Sequence, residues 1–517
     1  MPPVLWKVRP SKLSLKLPIW LRSTTNRPGN LIRTDNAPVD MLFPSVVFLA
    51  FFAPLFLAAY FAMPWRNVTF LFFSLAFFYW GENKYLGVLL AFIVINWLFG
   101  LLVGRSALPN RRKLLLGLGI AANLILLLYY KYFTFAITKI LPDLFHVQLS
   151  DVHHPHLPLG ISYFTFHGIS YLVDVYRGVA THSSSLLNVG LYISMFPHMV
   201  AGPIVRYHTV AKALIKRYFT LQRILFGLRL FVIGLAQKTL IANNLGAVAD
   251  KVYTLPKEAI NATAAWTGTL AYTLQIFFDF CGYSFMAIAI GIILGFRLPR
   301  NFRYPYFSQS ITEFWRRWHI SLSTWFRDYL YIPLGGNRKG QQRTLINLFA
   351  VFFLCGLWHG AAYTFVFWGM YHGMLLIIER LGLGRALKRS PRLIRHLYTM
   401  LAVMVGWVFF RADGLRQAAT MLTAMIGLNP ASQGKELMQI VTHEQLVSFA
   451  LGLLFATPLV EWVGKRLRQS LGSTFPAPAV FRALAYGWRG VSLTALFALS
   501  YMYVLAGTYS PFLYFRF

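Results

Sequence analysis

The chain has 517 residues, of which 57% are hydrophobic and 13% are charged, whereas soluble domains carry about 25% charged residues. Together with a mean hydropathy of +0.54, this excludes an ordinary soluble protein and predicts an all-α polytopic membrane protein. Lys and Arg number 49 against 16 Asp and Glu. Because these basic residues gather in short stretches between apolar runs, they indicate membrane topology and not nucleic-acid binding.

Residues 1–40 form a basic extension that contains seven Lys and Arg residues and several prolines. No apolar segment of the kind found in a signal peptide follows these charges, and the composition predicts disorder. Met41 stands directly before the first apolar run, so we expect translation to start there. We therefore expect one membrane domain over residues 41–517.

Apolar stretches recur along the rest of the chain, and crossing a bilayer takes about 20 residues. We predict ten to twelve membrane segments, including 43–63, 68–80, 86–103, 114–138, 224–243, 265–295, 397–411, 446–464 and 490–508. Between 158 and 203, Pro, Gly and His interrupt the apolar runs. Broken helices at membrane depth persist where they line a cavity or pack inside protein, so this region is expected to do so.

The basic stretches predict which side of the membrane each connection faces. Stretches expected on the cytoplasmic side are 105–113, 206–223, 297–343 and 379–396, whereas 140–157 and 244–264 are expected outside. The longest of them, 297–343, holds nine basic residues against Glu313 and Asp328. This stretch is the natural place for an anionic ligand to arrive.

Ionisable side chains within apolar segments are functional candidates because burying them is costly. Each of them has an alternative role as a polar contact between helices. The candidates are Asp174, His198, Lys238, Asp279, His359 and His372.

Two histidines are distinguished by their surroundings. His359 lies in the motif Trp358–His359–Gly360, and no Asp, Glu, Lys or Arg occurs between Arg343 and Glu379. A neutral imidazole in such a setting suits a general base that takes a proton from an acceptor hydroxyl. His319 lies in the basic, tryptophan-rich stretch, where it is expected to orient a donor or act as a second acid or base.

The sequence gives no case for a metal site or a disulfide framework. Cys281 and Cys355 both fall in apolar runs, as core cysteines do. The histidine tract around His153 has no carboxylate or cysteine cluster beside it, so no bound metal is predicted; the tract comprises His146, His153, His154 and His156. Motifs of serine hydrolases, P-loop enzymes and dinucleotide-binding enzymes do not occur either.

Three long motifs together resemble the membrane-bound O-acyltransferase (MBOAT) superfamily, and within it the bacterial alginate O-acetylase (AlgI-like) branch. They are SQSITEFWRRWHISLSTWFRDYLYIPLGGNR from Ser308, LCGLWHGAAYTFVFWGMYHG from Leu354, and LPLGISYFTFHGISYLVDVYRG with FPHMVAGPIVR from Leu157. The resemblance runs from about Met41 to Phe517. One departure is FDFCGYSFMA, where Phe285 stands in place of the family's usual acidic residue and Cys281 in place of a serine.

The resemblance implies a fold with a central funnel through the inner membrane and an acetyl transfer reaction. It assigns the essential histidine to His359 and the second position to His319. Acetyl-CoA is the implied donor, with no bound cofactor. The implied acceptor is an exported polysaccharide such as alginate, reached with a periplasmic acetyltransferase partner and other export subunits. Arginine forks suit phosphates, so we expect Arg316, Arg317, Arg327, Asn337 and Arg338 to bind the donor.

Two other functions fit some of the same features. The same chemistry on cellulose or teichoic-acid-like chains is compatible with every motif. A polytopic transporter also uses broken helices and buried charges, but that class is built from paired half-repeats, which are not visible here. A scaffold without catalysis would tolerate the loss of His359.

Overall fold

The computed structural model describes residues 42–146, 155–429, 436–472 and 479–507. These residues are helical, with no β-strand among them, which confirms the prediction of an all-α polytopic protein. The predicted disordered extension and the alternative start at Met41 lie outside the described residues. By its internal contacts, Met41–Phe517 groups as one unit.

The helices of the first half are mostly long, except between residues 161 and 215. They are α1 Ala53–Ala62, α2 Arg66–Glu82, α3 Leu86–Arg105, α4 Pro109–Phe135, α5 Leu141–Phe145, α6 Ile161–Tyr176, α7 Leu186–Ser194, α8 Phe196–Met199, α9 Tyr207–Ile215, α10 Leu221–Ala236, α11 Asn243–Tyr253 and α12 Ala262–Ile293. The short helices α6 to α9 correspond to the region in which broken helices are predicted.

Two seven-residue helices begin the second half, and a long helical hairpin follows them. The elements are α13 Ile311–Arg317, α14 Ile320–Phe326, α15 Gly340–His359, α16 Tyr363–Ile378, α17 Gly384–Arg389, α18 Arg392–Arg411, α19 Leu415–Met425, α20 Leu437–Ile440, α21 His443–Phe455, α22 Leu459–Gly472 and α23 Ala479–Leu505. Turns of π-helix extend several of these, for example Gln237–Ala242 after α10 and Arg327–Tyr331 after α14.

Among the described residues, five helices are long and apolar enough to cross a membrane, or six if one bent pair counts as a single span. They are Arg66–Arg105, Pro109–Phe145, Leu221–Tyr253, Ala262–Ile293 and Arg392–Arg411. This is fewer than the ten to twelve predicted segments, because some predicted runs are joined into one long helical segment and others are divided into shorter helices. For example, 68–80 and 86–103 become α2 and α3, which meet at a single turn and form one helical segment.

Two further boundaries differ from the sequence-based expectation. The run 446–464 was expected to be one helix, but α21 and the start of α22 meet at an angle of 61°. Pro458 lies at this break and cannot donate a backbone hydrogen bond to continue the helix. The predicted outside connection 244–264 begins as helix, since α11 continues the preceding span to Tyr253.

Helix α12 forms the centre of the protein, and most of its side chains are buried. It approaches α10 closely at Gly234 and Gly282, where an added Cβ on Gly234 would lie 2.5 Å from the Gly282 carbonyl oxygen. One turn further, Lys238 Nζ lies 2.7 Å from Asp279 Oδ1 in a fully buried ion pair. Breaking a buried pair of this kind costs roughly 3–5 kcal/mol, so the pair holds α12 to the neighbouring span.

The basic stretch 297–343 is not a solvated loop throughout. Trp315, Trp318 and Trp325 are buried in the main hydrophobic cluster together with residues of α12, α15 and α18. The neighbouring arginines lie outside that cluster, with Arg316 and Arg327 exposed and Arg317 partly exposed. Charge alone predicted an exposed connection, but the aromatic residues turn α13 and α14 into part of the core.

Helices α15 and α16 form a tight antiparallel hairpin joined by residues 360–362. An added Cβ on Gly356 would lie 2.4 Å from the Phe365 carbonyl oxygen, and one on Gly369 would lie 2.4 Å from that of Phe352. Small residues of this kind let helix backbones pack closely in membranes. The hairpin therefore fixes the position of His359, which is the last residue of α15.

Candidate active site

His359 ends α15 inside an enclosure of aromatic rings. Its ring centroid lies 4.8 Å from that of Trp358, 5.0 Å from Trp368 and 5.2 Å from Phe410. The residue is 8% exposed. An imidazole in such apolar surroundings is favoured in its neutral form, which is the form that accepts a proton.

A lysine from another helix holds the end of α15. Lys131 Nζ, on α4, donates to the Trp358 carbonyl oxygen, to the His359 carbonyl oxygen at 3.4 Å and to Ser162 Oγ at 3.3 Å. These three acceptors match the three N–H donors of an ammonium group. A cation is also favoured beside the free carbonyl groups at a helix C-terminus.

Tyr132, the next residue of α4, strengthens the same attachment. Its hydroxyl donates to the Leu357 carbonyl oxygen at 2.6 Å. The last carbonyl groups of α15 thus find partners on α4, which is distant in sequence. Lys131 and Tyr132 are not among the predicted site residues, and the sequence signal for Lys131 is a basic residue within the predicted span 114–138.

His319 joins α13 to α14 in a left-handed backbone conformation, with φ 41° and ψ 54°. This conformation is uncommon for residues other than glycine and is maintained where surrounding contacts fix it. Here the following amides supply those contacts: Ile320 N–H donates to the Asn301 carbonyl oxygen at 2.9 Å and Ser321 N–H to Asn301 Oδ1 at 3.3 Å. The bend turns the His319 ring into the core.

The His319 ring is 1% exposed, and neither of its nitrogens has a hydrogen-bond partner among the described residues. It packs edge-on against Phe280, with ring centroids 4.6 Å apart. Burial of the ring lowers the pKa of His319 to about 3. His319 is therefore neutral at physiological pH, and neither ring nitrogen is engaged by a described residue.

Trp358 lies between the two histidines. Its ring centroid is 6.4 Å from that of His319 and 4.8 Å from that of His359. On another side it stacks on Phe166 at 5.1 Å. The structure thus brings both predicted histidines to one aromatic cluster, although they come from different helices.

A cavity of about 190 Å³ reaches His359. Its wall includes Lys131, Ser162, Trp358 and His359, and its mouth includes the pair Glu82 and His156. His156 Nε2 lies 3.1 Å from Glu82 Oε1. The cavity opens towards the connection that is predicted to lie outside, and His319 is not part of its lining.

Two larger cavities flank α13. One of about 520 Å³ is lined by Arg316 and by residues from Glu379 to Arg395. The other, of about 1050 Å³, is lined by Arg317 together with Arg300, Arg303 and the break between α21 and α22. The two adjacent arginines, both predicted to bind the donor, therefore face different cavities.

The remaining predicted donor contacts lie elsewhere. Arg327 Nε is 2.6 Å from Asp328 Oδ1, and Arg206 pairs with the same carboxylate. Asn337 and Arg338 are exposed in the turn before α15. The five residues are thus spread over several places and do not line one pocket among the described residues.

The other buried ionisable candidates have local partners. Asp174 accepts from the Tyr329 hydroxyl at 2.7 Å and lies 2.8 Å from His208 Nδ1. His372 Nδ1 accepts from Trp315 Nε1–H at 3.4 Å, and the Lys238–Asp279 pair is described above. These contacts support roles in helix packing. His198 stacks on His167, with ring centroids 4.0 Å apart.

No group of three or more metal-ligating side chains occurs in the part of the chain that the structure describes. Of the histidine tract, His153 and His154 lie outside that part, and His156 contacts Glu82. Cys281 and Cys355 are free and buried.

Comparison with known proteins agrees with the resemblance noted in the sequence. The model of the MBOAT, membrane-bound O-acyltransferase family matches residues 118–411. This region includes Lys131, His319 and His359. The family resemblance predicted from the motifs is confirmed.

Several curated proteins are similar over nearly the whole chain. A probable alginate O-acetylase AlgI of Pseudomonas putida is 40% identical over 500 residues, covering 92% of this chain and 100% of the relative. That of Azotobacter vinelandii is 39% identical over 506 residues, with the same coverage of both chains. A peptidoglycan O-acetyltransferase of Helicobacter pylori is 33% identical over 479 residues, covering 86% of this chain and 90% of the relative.

The positions of the 190 Å³ and 520 Å³ cavities predict that a labelling reagent reaches them from opposite faces of the membrane. With His156→Cys, a membrane-impermeant maleimide applied to the predicted outer face of the membrane is expected to label the protein. Arg385→Cys, at the 520 Å³ cavity, is expected to react only when the reagent reaches the cytoplasmic face, because basic stretches stay inside. Labelling in spheroplasts and in inverted vesicles, read by a gel shift, measures this.

The unmodified protein is the control, since its two cysteines are buried and should react slowly. Labelling of both variants from the same side would contradict the predicted sidedness.

Proposed function

The chain belongs to the membrane-bound O-acyltransferase family, and on that premise we propose that it moves acetyl groups from cytoplasmic acetyl-CoA across the inner membrane to an exported polysaccharide. Its relatives named as O-acetylases of alginate and of peptidoglycan support a polymer acceptor. Alginate is the leading acceptor, because the relatives with that name are the most similar of those described.

The observation that carries this proposal is the position of His359. It combines an apolar enclosure, a fixed helix end and contact with a cavity from which a hydroxyl group can approach. In the proposed reaction, His359 accepts the proton of the acceptor hydroxyl while the hydroxyl oxygen attacks the thioester carbonyl carbon. The carbon–sulfur bond then breaks, and the proton passes to the departing thiolate. The aromatic enclosure limits access of water, which would otherwise hydrolyse the thioester.

His319 is proposed as the second functional histidine. Its two unpartnered nitrogens and its neutral state suit a hydrogen bond to the donor near the thioester. It lies on the α13–α14 side of Trp358, away from the cavity that reaches His359. This arrangement supports entry of donor and acceptor from different sides of the aromatic cluster.

The predicted donor contacts remain proposals. Arg316, Asn337 and Arg338 lie near the end of the α15–α16 hairpin that is remote from His359, and Arg317 faces the cavity at the break between α21 and α22. Coenzyme A carries phosphates at separated positions along an extended molecule, so one donor can contact more than one of these places. Arg327 has a carboxylate neighbour already and is the weakest of the five.

The partner is proposed to be a periplasmic acetyltransferase that receives the acetyl group or delivers it to the polymer, together with other exopolysaccharide subunits. The cavity at His359, which opens towards the predicted outside face, supports such a hand-over. Membrane lipid around the helices is the remaining proposed partner.

A second candidate function differs in the acceptor alone. The similarity to a peptidoglycan O-acetyltransferase over 90% of that relative supports acetylation of a different polymer. Ester-linked acetate on purified alginate and on peptidoglycan fragments, compared between cells with and without the gene, distinguishes the two. Polytopic transport has no comparable support, since the relatives described are transferases.

Replacing His359 by Ala is expected to reduce polymer acetylation by about hundredfold or more, since general base catalysis contributes 10²–10⁴ in rate. The measurement is ester-linked acetate per unit of polymer, with the amount of protein in the membrane determined in parallel. His443→Ala, which removes an exposed histidine, is the matched control. Normal acetylation by His359→Ala at normal protein level would refute the catalytic assignment.

Replacing His319 by Asn tests the second histidine. Asn tolerates the left-handed backbone that this position requires, so the bend is kept while the imidazole is lost. We expect acetylation to fall by about tenfold or more at an unchanged protein level. If acetylation is unchanged, His359 acts without His319.

Lys131 is proposed as a positioning residue for His359. Lys131→Met leaves the carbonyl oxygens of Trp358 and His359 without their donor. We expect kcat to fall by about tenfold to hundredfold with little change in KM, because hydrogen bonds to charged groups contribute about 1.5–3 kcal/mol. The assay is acetyl transfer by the purified protein.

Two comparisons separate this role from general destabilisation. Lys139→Met, on an exposed face two turns further along the same helical segment, should leave kcat unchanged. Lys131→Arg keeps the charge and the donors and should recover part of the rate. An unchanged kcat per folded molecule in Lys131→Met would contradict the positioning role.

A further inference from the structure

The 520 Å³ cavity beside α13 is lined by an unusual number of cations. Its basic lining residues come from α13, from the turn after α16, from α17 and from α18, and they are Arg316, Arg380, Arg385, Lys388 and Arg395. None of them forms an ion pair with a described carboxylate. Cations drawn from four elements around one space produce a local positive potential that a single basic connection does not.

The two carboxylates in the lining are already engaged. Glu379 is buried and accepts from the Ile311 N–H at 2.6 Å, the Thr312 N–H at 3.0 Å and the Thr312 hydroxyl at 2.6 Å. Its position therefore serves the start of α13. Its single negative charge is outnumbered by the five cations of the lining.

Glu313 is engaged in the same way. Its Oε1 lies 2.7 Å from Arg317 Nη2, and its Oε2 accepts from the Gln309 N–H at 2.9 Å. Arg317 faces the larger cavity on the other side of α13. The charge of Glu313 is thus balanced outside the 520 Å³ cavity, so the five cations face one unpaired carboxylate, that of Glu379, and the described lining keeps a net positive charge.

Two more observations point to a ligand. Arg395 is half-buried, and its Nε–H is buried with no hydrogen-bond partner among the described residues. Such a donor is costly to leave unsatisfied. In addition, Leu348, Leu376 and Leu387 form an apolar part of the same lining, and the volume lies within the range of small-molecule sites, about 300–1000 Å³.

We propose that this cavity binds a phosphoryl group carried on a molecule with an apolar portion. Phosphate oxygens match the arginine donors in charge and geometry, and the leucines accept the apolar portion. The cavity lies at the C-terminal end of α16, whereas His359 lies near its N-terminal end. A helix of 16 residues spans about 24 Å, so the phosphoryl site is separate from the site of proton transfer.

Two molecules carry such a phosphoryl group on the predicted cytoplasmic side of the membrane. One is coenzyme A, whose phosphates are linked to a chain that ends in the thiol; that source rests on the proposed acetyl-CoA donor. The other is an anionic phospholipid such as phosphatidylglycerol, whose headgroup phosphate is attached to acyl chains. In both cases the phosphate ester is the group recognised.

The test uses the full-length protein in nanodiscs and the double variant Arg385→Gln/Lys388→Gln. Both residues are exposed at the cavity, so their replacement leaves the core intact. The matched control is Arg111→Gln/Lys113→Gln, which removes the same charge from another exposed basic stretch. In phosphatidylcholine nanodiscs, the Kd of coenzyme A is measured for each protein. In a parallel arm, native mass spectrometry counts the phosphatidylglycerol molecules retained by each protein.

A Kd for coenzyme A raised about tenfold or more in the cavity variant alone supports the site and identifies the donor. Loss of retained phosphatidylglycerol in the cavity variant alone supports the site and identifies the lipid. Equal behaviour of the cavity variant and the control in both arms overturns the proposal. The His359→Ala variant should bind like the unmodified protein. Loss of transfer in His359→Ala with no cavity effect would therefore leave the proposed function intact and remove this inference.

Discussion

The attachment of the end of α15 to α4 is the interaction on which the site depends. A helix that ends inside an apolar protein leaves backbone carbonyl groups that water cannot reach, and each unsatisfied group costs free energy. Lys131 and Tyr132 supply the missing donors to residues 357–359. The same contacts fix the backbone of His359, so the solution to a folding problem also positions the proposed base.

The hairpin of α15 and α16 and the bend at His319 complete this arrangement. Glycines at the hairpin allow a close approach that larger residues would prevent, and the bend brings a second imidazole to the other side of Trp358. Both connections pack against the rest of the protein, since Gly360 and His319 are buried. A site built this way keeps its geometry in the absence of substrate, as preorganised sites do.

Much of the fold was predictable from the sequence, for identifiable reasons. Hydropathy predicted the helical membrane class, and Pro, Gly and His between 158 and 203 predicted broken helices. The isolation of His359 in an apolar run made it a candidate before any geometry was known. By contrast, the contact of Lys131 with Trp358 joins residues 227 positions apart, and nothing local in the sequence signals it. The division of Arg316 and Arg317 between two cavities was equally hidden, because their separation depends on how α13 packs.

The burial of residues 308–331 shows how two signals can compete in one stretch. Charge predicted an exposed basic connection, and the arginines are indeed at the surface or in cavities. The tryptophans of the same stretch contribute large apolar areas, each of which favours burial. Both tendencies are satisfied by short helices with an aromatic side and a basic side. No single environment therefore describes the whole stretch 308–331.

The size of the cavity at His359 limits what the protein can distinguish. A volume of about 190 Å³ is below the range of small-molecule sites, about 300–1000 Å³. It admits a hydroxyl-bearing group, but it cannot enclose successive residues of a polymer chain. Under the proposed function, the polymer is therefore selected where it is held and not in this cavity. Under the same proposal, chains as similar as the alginate and peptidoglycan O-acetylases compared above can differ in polymer without differing in this cavity.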